Sequence, residues 1–463
     1  MRPPGSPRFW ARIGLLLLCL LVRLTALEAD PPPWLSWSTG LYTDEGYYTL
    51  DARHEALFGT LAPGNFHDRL LSPLLSLLQQ GVFALFGGGL HQARLLSVCF
   101  GLVTIAVFWL GLRRAYDSRT ADFGALFLGL APPFALYNRL ALQETPTVFW
   151  LVLAFALWSY GIKWLSGAAV AAAIVFKGLA VIALPAVFAR RSALAPQNWG
   201  GGAFLLLLYV LLWYAPHHAE LVRMATFYRV HQMQPHSLVS VWLNLRRGLI
   251  GGERGVIPYL LALLPVPCLL AGWKIGKWRQ WTDADKYLAV WLACGLLFCL
   301  VSSYAPSRYY VLFLPPLAGL AARRLAGWKR PVQLAAAGLF LLTSGIWYSL
   351  AWTGKTNTRQ AASRELGQLL PPGSIVIGEF APSLCLGTML AAAPVQPGLS
   401  NDDHPVEKLH AAAVIVTRTA YWQQWWSTRY PSIIQPSHKI ATFTLGGPRR
   451  DVEDVYSVEG VKK

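Results

Sequence analysis

The sequence predicts a mainly α-helical, polytopic transmembrane bundle of about eleven spans with a small C-terminal α/β domain on the extracytoplasmic side. Three observations predict it. Only 14% of the 463 residues are charged while 54% are hydrophobic, and mean hydropathy is +0.40. Ordinary soluble domains carry about 25% charged residues. Apolar runs of roughly 17–25 residues recur along the chain, the length that crosses a bilayer. After Thr353 the composition shifts to short β-branched runs alternating with helical stretches. The net charge of +17 does not signal nucleic acid. Its basic residues stand in short clusters beside apolar runs, as in cytoplasmic membrane loops. Cys19, Cys99, Cys268, Cys294 and Cys299 lie in apolar segments and Cys385 outside them, with no spacing that suggests zinc or a disulfide framework.

The elements follow in order. Arg2, Arg8 and Arg12 flank a first span over 11–27, and Ala26-Leu27-Glu28 is a poor signal-cleavage site, so the N-terminus is cytoplasmic. A long outer loop, 28–92, follows. From Asp44 it reads as a helix, with Tyr47, Leu50, His54, Leu57 and Phe58 on one face and Asp51, Arg53 and Glu55 elsewhere, lying on the membrane surface. The stretch 70–86 is apolar but holds Pro73, Gln79 and Gln80. Because the span 93–112 ends in Arg113-Arg114, which must be cytoplasmic, 70–86 is a surface or re-entrant helix rather than a crossing. Spans 121–137 and 146–160 flank the outer turn 138–144. A tight hairpin over 167–188, its tip at Phe176-Lys177-Gly178, keeps Lys163 and Arg190-Arg191 on the inner side. After a span at 203–213 comes a second outer loop with His217, His218, Arg223, Arg229, His231 and Arg246-Arg247. Spans 256–271, 287–301, 311–322 and 332–352 carry Lys274, Lys277, Arg279, Arg323, Arg324, Lys329 and Arg330 at their inner ends. The membrane module is therefore 1–352. Residues 353–463 form the outer domain, with helices over 359–370 and 421–430 and strands over 374–378, 413–417, 442–445 and 455–458.

The chemistry is sought where charge breaks the positive-inside rule. Arg69, Arg139, Lys177 and Arg308 all fall at outer turns or span ends, where cations are costly unless they work on something. Asp44, Glu45 and Glu144 converge on the same face. Cations at that depth suit an anionic lipid head group such as a phosphate. Each residue also has a structural reading. Asp44 suits the N-cap of the helix after it, and Glu45 favours the helix dipole. Arg139 and Glu144 are close enough to pair with each other, Lys177 to snorkel at a hairpin tip, and Arg308 to anchor at the interface. The outer-loop histidines have no metal-ligand spacing.

These residues carry a resemblance. Thr43-Asp44-Glu45-Gly46-Tyr47-Tyr48, Arg69-Leu70-Leu71-Ser72-Pro73, Asn138-Arg139-Leu140-Ala141-Leu142-Gln143-Glu144-Thr145-Pro146, Phe176-Lys177-Gly178 and Ser307-Arg308-Tyr309 stand in an order and spacing similar to the polytopic GT-C glycosyltransferases, in the branch of protein O-mannosyltransferases and aminoarabinose transferases. The match covers 10–325. It implies that Asp44 is the catalytic carboxylate, with Glu45 beside it, and that Arg308, Lys177 and Arg69 hold a donor phosphate. Arg139, Glu144 and Tyr309 complete the substrate-binding set. The chain departs from the pattern in two places: Glu144 stands where an aspartate is usual, and Arg69 lies upstream of Pro73 instead of directly before it.

The expected activity is inverting transfer of a sugar from a polyprenyl-phosphate donor at the outer face of a bacterial plasma membrane. A phosphate is already a stabilised leaving group, so the site needs a base for the acceptor hydroxyl and cations for the phosphate. No cofactor is required, and a divalent metal is compatible with the set but not demanded. The expected partners are the lipid-linked donor, membrane lipid and an unidentified glycan, lipid or protein acceptor. Two alternatives are a flippase or transporter of lipid-linked sugars and a non-catalytic scaffold. A transporter usually shows paired repeats, which this chain lacks, and a scaffold leaves the outer cations unexplained.

Overall fold

A computed structural model describes residues 7–36, 38, 40–188, 196–231, 237–246, 260–272, 281–302, 304–446 and 451–459. The expectations for Arg190-Arg191, Arg247, Lys274, Lys277, Arg279 and 256–259 lie outside these residues. The chain opens with α1 (Pro7–Leu24) and reaches the first loop helices, α2 (Gly40–Tyr47) and α3 (Leu50–Phe58). The helix read as one from Asp44 to Phe58 is therefore two. It begins at Gly40, so Asp44 is inside a helix and is no N-cap. Nor does it lie on a surface, because Asp51, Arg53 and His54 are buried. They are tolerated there because each has partners: Asp51 accepts from Ala62 N and Arg69 N, and Arg53 donates to the Thr388 and Leu390 carbonyls.

The short α4 (Asp68–Leu71) and the 14-residue α5 (Pro73–Phe86) follow, the latter presenting Leu74, Leu77, Leu78, Leu85 and Phe86 outward. Then come α6 (Leu90–Ala115), α7 (Ser118–Gly129), α8 (Pro132–Tyr137) and α9 (Glu144–Ser159). The span expected over 121–137 is broken at Leu130-Ala131, before the prolines that open α8. The break expected at Lys177 is present. There α10 (Lys163–Phe176) ends, Lys177 is extended, and a 3-10 turn, Gly178–Ala183, leads into α11 (Leu184–Val187). The bundle continues with α12 (Pro196–Tyr209), α13 (His218–His231), α14 (Leu238–Leu245), α15 (Pro265–Gly272) and α16 (Asp283–Val301). A 3-10 turn, Ser307–Phe313, then precedes α17 (Leu314–Ala326) and α18 (Arg330–Thr353).

Among the described residues three helical stretches, Leu90–Ala115, Asp283–Val301 and Arg330–Leu369, are long and apolar enough to cross a membrane, and the bent pair Trp199–Tyr214 and His218–Val230 makes a fourth if it is one span. Other helices expected to span are shorter, at 10–17 residues, such as Glu144–Ser159 and Lys163–Phe176. The chain is a multi-pass membrane protein whose shorter apolar helices leave the count of about eleven unconfirmed.

After α18 come α19 (Thr358–Leu369), β1 (Ile375–Ile377), α20 (Ala381–Cys385), β2 (Ala391–Ala393), α21 (Pro405–Lys408), β3 (Ala413–Thr417), α22 (Ala420–Arg429), β4 (Lys439–Thr444) and β5 (Val452–Ser457). The sheet has the order β2-β1-β3-β5-β4, parallel among β2, β1 and β3 and antiparallel from β3 to β5 to β4. Four of its strands match the expected ones. The all-alanine β2 had no β-branched signal to reveal it. One buried cluster runs from Cys19 in α1 to Val455 in β5, so one side of the C-terminal region packs into the core of the bundle, while a second cluster, from Ile377 to Tyr456 and including Trp422, Trp425 and Trp426, belongs to that region alone.

Candidate active site

The site forms where α2, the N-terminus of α9, the end of α10 and the turn before α17 meet. A cleft of about 560 Å³ opens there, lined among others by Thr43, Asp44, Tyr47, Tyr48, Gln143, Lys177, Tyr228, Arg308, Tyr309, Glu379 and Gln396. Glu144 sits behind it with a side chain 0% exposed. Its Oε1 accepts from Lys177 Nζ at 2.8 Å and lies 3.2 Å from Arg308 Nε. Arg308 in turn forms an ion pair with Asp44, whose side chain is 20% exposed. Thr43 Oγ1 donates to Asp44 Oδ1 at 3.4 Å. Lys177 Nζ stands 5.0 Å from the ring centroid of Tyr309 and 5.9 Å from that of Tyr48, and Arg308 Cζ lies 5.7 Å from Tyr309.

Local sequence explains these positions. Lys177 interrupts α10 in extended backbone, which turns its side chain into the cleft, and Ser72 Oγ ties the preceding carbonyl of Phe176 at 2.9 Å. Glu144 begins α9, where a carboxylate complements the positive end of the helix. Gly40 opens α2 because a Cβ there would lie 2.7 Å from Arg308 Nη1 and 3.0 Å from Asp44 Oδ2. Loss of water around Asp44 pushes its carboxyl pKa up, Arg308 pulls it down, and the net direction is upward.

Glu45 faces elsewhere, as adjacent residues about 100° apart on a helix should. It is 0% exposed and holds Arg94 by two bonds of 2.8 and 2.6 Å, Arg359 at 2.7 Å and the Ala141 amide at 2.8 Å. The two guanidiniums overcome burial and hold its pKa down at about 2. Glu45 thus lies outside the cleft, in a structural ion cluster. Arg69 also stays out: it pairs with Glu55 and donates to Gln80 at 3.2 Å. Arg139 bonds the Ala26 carbonyl and does not meet Glu144, whose partners are the cleft cations. The structure therefore brings together Asp44, Glu144, Lys177, Arg308 and Tyr309, and leaves Glu45, Arg69 and Arg139 aside. Among the described residues no three His, Cys, Asp or Glu side chains gather in a metal-binding group.

The sequence did not point to Glu379 and Gln396, which reach the cleft from the far end of the chain, or to Tyr228 from α13. No local motif marks them.

A family model for dolichyl-phosphate-mannose-protein mannosyltransferases matches residues 71–218. ArnT from Cupriavidus metallidurans, solved bound to undecaprenyl phosphate, superposes with a TM-score of 0.66 over 97% of this chain and 98% of that one, at 16% identity. The chain has the GT-C fold. The oligosaccharyltransferase AglB from Archaeoglobus fulgidus, solved with an inhibitory peptide and a dolichol-phosphate, shares the GT-C fold more distantly, with a TM-score of 0.56 and 12% identity over 92% of this chain and 71% of that one. No curated protein sequence matches the chain. Of the charged residues through which the sequence resembled GT-C enzymes, Asp44, Glu144, Lys177 and Arg308 meet at the cleft, and Glu45, Arg69 and Arg139 do not.

Proposed function

We propose that the chain is an inverting membrane glycosyltransferase that moves a sugar from a polyprenyl-phosphate donor to an acceptor at the extracytoplasmic face of the plasma membrane. The observation that carries this reading is the bridge made by Arg308, one guanidinium between Asp44 and Glu144, with Lys177 on the same carboxylate. ArnT and AglB, which share the fold, are described with undecaprenyl phosphate and dolichol-phosphate, and that supports a lipid phosphate as the anion for these cations.

The chemistry follows from charge. Two carboxylates and two cations make the cluster neutral by itself. A phosphodiester donor competes with Asp44 for Arg308 and frees the carboxylate while placing C1 of the sugar near it. The acceptor oxygen attacks C1 and its proton passes to Asp44. The bond from C1 to the phosphate oxygen breaks, and the electron pair stays on the phosphate, where Arg308 and Lys177 stabilise the added charge. Attack opposite the leaving group inverts the anomeric centre. Glu144 touches no reacting atom and serves to hold the two cations side by side.

The test is Asp44→Asn in membranes supplied with polyprenyl-phosphate sugars. Removing a positioned base lowers the rate about 10²–10⁴-fold. Undiminished transfer by folded variant protein would remove Asp44 from that role.

A further inference from the structure

The cleft has two walls of opposite character. The membrane module supplies Lys177 and Arg308, and among the described lining residues no other side chain is cationic. The facing wall comes from the C-terminal sheet through Glu379 and Gln396. Their place in that sheet is specific. Strands β2, β1 and β3 are parallel, with β1 between the other two, so the connection from β1 leaves to one side and β3 returns on the other. Open α/β sheets bind ligands in the crevice beyond the carboxyl ends of such strands, at the point where the order reverses. Glu379 follows the end of β1, Gln396 follows β2 and Thr417 ends β3. All three lie at that crevice, and it opens on the cleft that holds Asp44.

The backbone is shaped for this. Gly378, between β1 and Glu379, has φ +140°, and a Cβ on it would collide with the Ile415 carbonyl of β3. Behind Glu379, the Thr417 hydroxyl lies 3.4 Å from Glu379 Oε2 and 3.0 Å from Glu453 Oε2. One hydroxyl proton serves one of them at a time. Glu453 pairs with Thr417 across the β3–β5 ladder and is 0% exposed, and its Oε1 has no hydrogen-bond partner. Loss of water lifts its pKa to about 9, so it keeps a proton to donate at neutral pH. The wall thus offers a carboxylate that accepts, an amide that does both, and a protonated acid behind them. Vicinal hydroxyl groups, which each donate and accept, complement such a set.

We infer that the carboxyl edge of β2-β1-β3 is a binding subsite for the hydroxyl groups of a sugar ring, with Glu379 and Gln396 in contact and Glu453 positioning Glu379 through Thr417. It rests on the phosphate reading above, and the ring is either the one carried by the lipid donor or one on the acceptor.

The test uses purified full-length protein with two probes, undecaprenyl phosphate and undecaprenyl-phosphate mannose, and compares wild type with Glu379→Gln and Gln396→Leu. Wild-type binding of the sugar-free lipid tests the phosphate reading separately, so its failure is distinguishable from failure of the subsite. If the donor ring occupies the subsite, each variant loses about tenfold in affinity for the mannosylated lipid and keeps its affinity for the sugar-free one. If the acceptor ring does, both lipids bind as in wild type. Transfer to a cell-envelope glycan extract then shows a KM raised about tenfold. Equal losses for both lipids, or wild-type values in every assay, would overturn the subsite.

Discussion

Glu45 collects four hydrogen bonds from Arg94, Arg359 and the Ala141 amide in a fully buried position. Glu45→Gln removes the charge that both arginines compensate, and breaking a buried pair this way costs about 3–5 kcal/mol. Thermal unfolding of the variant in detergent should show that loss at neutral pH. The pH dependence has a definite sign. The folded pKa of about 2 lies below the ordinary value of 4.5, so the stabilisation is complete above pH 4.5 and disappears as the pH falls through 2. Melting temperatures measured downward across that window should fall in wild type and stay flatter in Glu45→Gln. Asp44 is shifted the other way. In the proposed role of base it must be ionised, so the acid limb of the rate profile should lie above the ordinary carboxylate range. A limb at or below that range would assign the base elsewhere. The sequence made the adjacent carboxylates legible, and helix geometry their different directions. The partners of Glu45 were not legible, because Arg94 and Arg359 lie 49 and 314 residues away.

At the scale of elements, α2 is pressed against α20. A Cβ on Gly46 would overlap the backbone of Pro382 and Ser383, and the Ser383 hydroxyl bonds the Tyr42 carbonyl. Gly46→Ala improves helix propensity by up to about 1 kcal/mol, yet it must push two backbones apart, which costs about 1–3 kcal/mol. The net expectation is a lower melting temperature and slower transfer, because α2 carries Asp44. A variant as stable as wild type would show that α20 yields freely. Periodicity marked a helix in this region but missed its break at Tyr48-Thr49. It also put Asp51 and Arg53 in solvent, because a period reports one apolar face and is silent about polar residues paired by distant chain. The interruption at Lys177 was legible for a better reason: opposing charge requirements at Lys163 and Arg190-Arg191 forced a turn between them.

At the scale of the molecule, the last hundred residues are built into the loop over 28–92. Asp30 accepts from the Thr356 and Thr358 hydroxyls at 2.8 and 2.7 Å. His54 Nε2 accepts from the Ala392 amide in β2 at 3.0 Å, and Asn65 and Asn401 bond each other's backbone amides. A chain ending at Thr353 loses Arg359 from the Glu45 cluster and Glu379 and Gln396 from the cleft. It should insert in membranes, bind no polyprenyl phosphate and be cut readily in residues 28–92 by added protease. Protease resistance equal to the full chain would mean the loop folds alone. The composition shift at Thr353 was legible as a boundary, and four strands with it. What could not be read was that part of this segment packs into the bundle's buried cluster while part keeps a cluster of its own, since side-chain contact between loop and sheet leaves no mark in either segment.

The Glu45 cluster also imposes an order in time. Ribosomes deliver Arg94 soon after Glu45 but Arg359 only after more than three hundred further residues. Until then α2 holds half of its counter-charge, and α20 is missing from its flank. The helix that carries Asp44 therefore completes its contacts only with the last hundred residues. A nascent or truncated molecule lacks half of the counter-charge that holds α2.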